Sequence, residues 1–236
     1  MSLTKLALQQ LQSVALPTPR RYRKNQHLTP ITKNRLSSKT MPAATTKPTT
    51  TTMANDSEIA KFYSGKNVLI TGASGFLGKV ILWKLIENCP DIGTIYVMLR
   101  SKNNCSADKR LIALLKGKPF DFKYDYTDLL KKIVAIESDI TETGLGLSQS
   151  NRTLLQDKVN VVLHSAASVK FDAPLKDNLR DNFYGTRSML ELSSTMSNLH
   201  AFVHVSTAYS NCHLKDIDEA IAPLNMDVDE VVRTIE

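Results

Sequence analysis

The residues best suited to chemistry are three glycines, Gly72, Gly75 and Gly78, spaced G-x-x-G-x-x-G directly behind the apolar run Val68-Leu69-Ile70. The run reads as a buried parallel strand and the segment after it as a helix. A tight turn between the two needs the first glycine. A close backbone approach to a pyrophosphate needs the second, and close packing of helix on strand needs the third. The free N–H groups and positive dipole end of that helix would then face the phosphates. The stretch Thr71, Gly72, Ala73, Ser74, Gly75, Phe76, Leu77 and Gly78 is therefore the candidate dinucleotide cradle.

The second candidate is Arg100, which closes the next apolar run, Thr94 to Leu99, and is followed by Ser101 and Lys102. An NAD site usually places Asp or Glu at this point for the ribose 2′-hydroxyl. No acid lies between Asp91 and Asp108. A carboxylate would repel a 2′-phosphate, whereas an arginine can grip it with paired hydrogen bonds, so NADPH is the expected cofactor. Asp139 and Ile140 follow a third run, Ile133 to Ile136. They fall where an adenine ring would cross the strand ends, though Asp139 could equally cap a turn. Ser165-Ala166-Ala167-Ser168 follows a fourth run, Val159 to His164. Side chains this small let the backbone, at Ala166 and Ala167 above all, approach a cofactor ribose. His164 and His204 fall inside strands and read as satisfied core or strand-end histidines rather than catalytic ones.

These candidates need a scaffold that brings several strand ends together. The pattern supplies one: strand, helix and strand within about 35 residues is a βαβ unit, and the alternation continues to a fifth run, Ala201 to Val205. Phe76, Val80, Ile81, Leu82, Leu85 and Ile86 predict the apolar stripe of the first helix, ended by Asn88 and Pro90. A helix is expected over 106–117, an irregular insertion with a short helix at its end over 117–132, and one long helix from Pro174 to Ser197. The fold class is α/β, a doubly wound parallel sheet.

Composition narrows the function. The 236 residues carry a formal charge of +7, but nine of the 30 basic residues and no acid lie in residues 1–55. The rest holds 21 basic against 23 acidic residues, which gives no electrostatic case for a nucleic-acid partner. Residues 1–55, with their basic cluster and the Thr-rich run Thr45 to Thr52, are expected to be a disordered extension to a domain covering 58–236. Their short amphipathic start and lack of acids also suit a mitochondrial import peptide, or else sequence upstream of a start at Met53. Cys89, Cys105 and Cys212 form no disulfide or zinc pattern, and Cys212-His213 lacks two further ligands, so no metal is expected. No apolar run reaches about 18 residues, the length that marks a membrane-spanning helix.

Several local stretches, taken in order, resemble the fatty acyl-CoA reductases of the extended short-chain dehydrogenase/reductase group, a Rossmann-type fold. They are Phe62 to Lys66, Thr71 to Lys79, Leu99-Arg100 leading to Lys109-Arg110-Leu111, Val162 to Asp172, Asn182-Phe183-Tyr184-Gly185-Thr186, and His204 to Asn211. The last is most similar to insect members. The resemblance implies reduction of a long-chain acyl-CoA by NADPH, through an aldehyde, to a primary alcohol. It also implies a carbonyl-polarising role for Ser206 or Thr207, and support of a proton-relay water by Asn182. The family's Tyr-x-x-x-Lys proton donor, expected beyond the fifth strand, occurs nowhere in the chain. The sequence thus reads as an N-terminal fragment truncated after about the fifth strand, catalytically inactive on its own. Membrane association, at peroxisome or endoplasmic reticulum, is what the family implies for the location. Nucleotide-sugar epimerases and thioester reductase domains are alternatives, but they usually differ around the fourth strand and at Arg100.

Overall fold

The computed structural model describes residues 57–235 except 103, 171, 208, 210–214, 218 and 220–226. The expected extension over 1–55 and the Cys212-His213 pair lie outside the described residues.

Five strands form one parallel sheet: β1 (Val68–Thr71), β2 (Ile95–Leu99), β3 (Ile133–Glu137), β4 (Val161–His164) and β5 (Ala201–His204). Their order is β3-β2-β1-β4-β5. The central pairings set Leu69 beside Tyr96 on one side and Val162 on the other. Successive side chains on β1 alternate between faces. Val68 and Ile70 enter one core with Leu82, Leu85, Leu111 and Leu115. Leu69 enters the other with Met98, Leu155, Met189 and Leu192. Two cores on opposite faces require helices on both, so the sheet is doubly wound as expected.

The helices are α1 (Glu58–Tyr63), α2 (Phe76–Asn88), α3 (Ala107–Leu115), α4 (Tyr126–Leu129), α5 (Gln149–Lys158), α6 (Leu175–Asn178), α7 (Gly185–Ser194) and α8 (Val228–Ile235). Serine or aspartate side chains cap most of their starts. Ser57 accepts from Ala60, Asp125 from Thr127 and Ser148 from Asn151. Helix α2 differs: Gly75 stands at its N-cap, with no side-chain cap.

Two expectations are corrected. The helix expected from Pro174 to Ser197 runs without a break from Leu175 to Ser194 but is not regular: α6 and α7 are joined by a π-helical segment, Leu179–Tyr184. Only α7 buries a face, through Met189 and Leu192, while Leu175 is exposed at the start. With little to bury early on, packing does not hold that half to regular α geometry. Phe76 does not join the α2 stripe either. It sits on the first helical residue, over the sheet edge rather than the core, and is 88% exposed.

Candidate functional site

Because all five strands are parallel, their carboxyl ends share one edge of the sheet. The chain leaves β1 for one side of the sheet and reaches β4 on the other, so the crevice between these two ends is the topological switch point, where open α/β sheets bind ligands. The glycine turn lies there. Gly72 has φ +74° and abuts the loop after β4: a Cβ on it would sit 2.8 Å from the Ala166 nitrogen and the Ser165 carbonyl. A Cβ at Gly78 would lie 2.6 Å from the Gly72 carbonyl carbon. Helix α2 therefore seats directly on the turn, and a side chain at either position would push the two apart. The Gly75 N–H donates to the Gly72 carbonyl at 2.9 Å, closing the turn. Ser74, Gly75, Phe76 and Leu77 are exposed along the crevice. Ala73 is not: the whole residue is buried in the core.

A pyrophosphate fits this cradle. The α2 start has no side-chain cap, Ser74 to Leu77 stand exposed at it, and the free N–H groups of a helix's first turn favour an anion. No described cluster of His, Cys, Asp and Glu could hold a metal ion.

Arg100 is exposed just past β2, on the same sheet edge as the glycine turn. The acid missing from its local sequence arrives from β3: the Asp139 carboxylate stands 3.7 Å from the Arg100 guanidinium. Asp139 also accepts from the Thr141 N–H and hydroxyl at 3.0 and 2.8 Å, so turn capping, one of its two expected roles, is present. Ser101 donates a short hydrogen bond to Glu137, and Arg110 donates one to the Arg100 carbonyl. Arg110, which belongs to the Lys109-Arg110-Leu111 stretch, thereby braces the backbone of Arg100. Lys102 is exposed in a tight turn paired with Cys105. Ile140 packs its side chain against Gly185 and the second core.

The loop after β4 is held from two directions. Ser165 and Ala166 N–H groups donate to the buried Thr71 hydroxyl at 3.2 and 3.1 Å, and the Ser165 hydroxyl donates to the Thr71 carbonyl at 2.8 Å. Ala167 is exposed beyond them. At the far end, Asn182 in the π-helical segment accepts from the Ser168 N–H at 2.7 Å and donates to its carbonyl at 3.0 Å. Both ends of the Asn182 amide are thereby spent on the loop backbone. Ser206 and Thr207 are exposed just past β5, on the same sheet edge. The Thr207 hydroxyl accepts from the Tyr209 N–H at 3.3 Å.

His164 is fully buried at the end of β4. Its Nδ1 lies 2.7 Å from the Thr71 hydroxyl and its Nε2 3.1 Å from the Thr186 hydroxyl. Burial, and behind it the stacked His204 ring with centroids 5.3 Å apart, pushes its pKa down to about 4. It is the satisfied core histidine that its strand position suggested.

The NAD-binding family model described as male sterility protein matches residues 70–235, which spans the cradle, the β4 loop and Ser206-Thr207. The chain belongs to the fatty acyl-CoA reductase family. It is similar to fatty acyl-CoA reductase 1 of Rattus norvegicus, with 40% identity over 75% of this chain and 35% of the relative. Fatty acyl-CoA reductase 2 of Homo sapiens is 39% identical over 76% of this chain and 35% of its own length. The chain thus spans about a third of the length of these curated relatives. Among solved structures it is similar to a thiolation-reductase di-domain of an archaeal non-ribosomal peptide synthetase. That match has 36% identity and TM-score 0.51, and covers 61% of this chain and 28% of the other. The terminal R domain of the myxalamid pathway gives 30% identity and TM-score 0.52, over 61% and 35%. A nicotinamide cofactor goes with this family and these reductase neighbours.

Proposed function

We propose that this chain carries the cofactor half of an NADPH-dependent reductase that converts long-chain fatty acyl-CoA to fatty alcohol. The observation that carries it is the open α2 N-terminus behind a turn in which Gly72 and Gly78 are sterically required, with Arg100 exposed at the end of the neighbouring strand. Bound NADPH would supply hydride to the thioester carbonyl. The chain's own share is to hold the pyrophosphate on the Gly72–Gly78 turn and the 2′-phosphate on Arg100. Adenine would lie against Asp139 and Ile140, with Lys102 adding positive charge beside them and the Ala166-Ala167 backbone facing the ribose. A 2′-phosphate would displace Asp139 from Arg100, exchanging one weak, half-exposed ion pair for charge-assisted hydrogen bonds. Ser206 or Thr207 would polarise the carbonyl from the shared sheet edge, and Asn182 would support the proton path through the loop it pins.

A second reading has its own observation: the sequence contains no Tyr-x-x-x-Lys. On that reading the 236-residue chain binds the dinucleotide without reducing anything. Both readings are tested by titrating NADPH and NADH into the purified chain and into Arg100→Ala, then adding a long-chain acyl-CoA. The wild type should prefer NADPH, and the substitution should cost about tenfold in NADPH affinity while sparing NADH. Equal preference in the wild type would refute the Arg100 assignment. Alcohol formation by the purified chain would eliminate the silent reading.

A further inference from the structure

The hydrogen bonds around His164 have a direction that can be worked out from donor counting. The Thr71 hydroxyl has one proton and two lone pairs. Both lone pairs are taken by the Ser165 and Ala166 N–H groups. Its proton must therefore go to His164 Nδ1, 2.7 Å away. That makes Nδ1 an acceptor and places the ring proton on Nε2, which donates to the Thr186 hydroxyl at 3.1 Å. Thr186 in turn donates its own proton to the Asn182 carbonyl at 2.7 Å. Asn182 then clamps Ser168 with both ends of its amide. The chain of donors starts at the strand that feeds the glycine turn and ends on the main-chain carbonyl of Asn182, whose side chain separately holds the far end of the facing loop.

We propose that His164 and Thr186 are positioning residues for the dinucleotide crevice. The one-way chain Thr71–His164–Thr186–Asn182 holds the Ser165–Ser168 loop at both ends against the glycine turn. Neither residue touches the ligand. His164 sits at the end of β4 and must reach hydroxyls on opposite sides, one on β1 and one on α7; a rigid ring with a nitrogen at each side does this without a water. The π-helical segment has a part as well, since such segments often mark functional sites. It brings Asn182 to the loop while its carbonyl receives Thr186 from the following turn. The loop's tolerance is small, because a Cβ on Gly72 would already collide with Ser165 and Ala166. A loop that drifts towards the turn closes the crevice, and one that drifts away loses its contact with the ribose.

This inference rests on the cradle being a dinucleotide site, so its test separates the two. Thr186→Val keeps the shape and removes both the acceptor for Nε2–H and the donor to Asn182. Thr186→Ser restores the hydroxyl. NADPH titration of the 236-residue chain should show about tenfold weaker binding for the valine variant and near wild-type binding for serine. Amide exchange at Ser168 should accelerate in the valine variant alone. In the unsubstituted chain, the imidazole nitrogen spectrum should show His164 protonated on Nε2. A proton on Nδ1, or equal NADPH affinity and Ser168 exchange in Thr186→Val, overturns the proposal. If the wild type takes up no NADPH, the cradle reading falls. The His164 spectrum and the Ser168 exchange rates still decide the relay in that case.

Discussion

Acid should unfold this domain through His164, and the size of the effect follows from its surroundings. The ring is buried, its Nδ1 faces a hydroxyl that already accepts two N–H groups, and His204 stacks beside it. Protonation would put a third donor against the Thr71 hydroxyl, which has no lone pair left to receive it. The folded pKa is accordingly lowered from 6.5 to about 4. A depressed pKa means the unfolded chain takes the proton first as pH falls. The stabilisation is complete above pH 6.5, declines through the window from 6.5 to about 4, and is gone below it. A gap of about 2.5 pH units at roughly 1.4 kcal/mol each amounts to about 3.5 kcal/mol. His204, whose pKa burial also lowers, changes stability in the same direction. The assay is urea unfolding at a series of pH values for the wild type and His164→Asn, whose amide oxygen can replace Nδ1. The variant should lose stability at pH 7, and its curve should be flatter than the wild type's between pH 6.5 and 4. Subtracting the curves removes the carboxylates common to both. Parallel curves, or an NMR titration of His164 with an ordinary midpoint near 6.5, would refute the reasoning.

Other substitutions test the geometry of the cradle and the core. Gly78→Ala should force α2 off the turn, costing roughly 3 kcal/mol and most of the dinucleotide affinity. Gly117→Ala, whose Cβ would meet only ordinary contacts at 3.5 and 3.6 Å, should be tolerated. Urea unfolding and NADPH titration of both variants would show it, and equal behaviour would count against the close-packing argument. Leu69→Ala, at a fully buried position in the central strand, should cost about 3 kcal/mol at unchanged m-value. A loss below about 1 kcal/mol would mean that the second core collapses around the gap.

The sequence by itself determined the parts that depend on neighbours along the chain. Apolar runs of four to six residues, alternating with helical stripes, specify buried parallel strands with helices between them, because each run can bury both faces only in that arrangement. Three glycines at fixed spacing specify the turn, because the positive φ at Gly72 and the close approach of Gly78 to Gly72 are demands that arise within seven residues. Serines and an aspartate at helix starts are also local, and they cap as their types suggest.

Tertiary structure decided what depends on residues far apart in sequence. Asp139 stands beside Arg100 because β3 pairs with β2, so scanning the chain around Arg100 could not find the acid. His164 and Thr71 are 93 positions apart and meet only because β4 lies next to β1. The π-helical stretch inside the expected long helix, and the use of the Asn182 amide on Ser168, left no periodic signal, since periodicity records burial and this segment buries little. Phe76 fits the apolar stripe by spacing but stands clear of the core, because the helix begins at the sheet edge. Spacing along a chain fixes which elements form and which face each one buries. Which polar side chains then share a hydrogen is settled by how those elements pack.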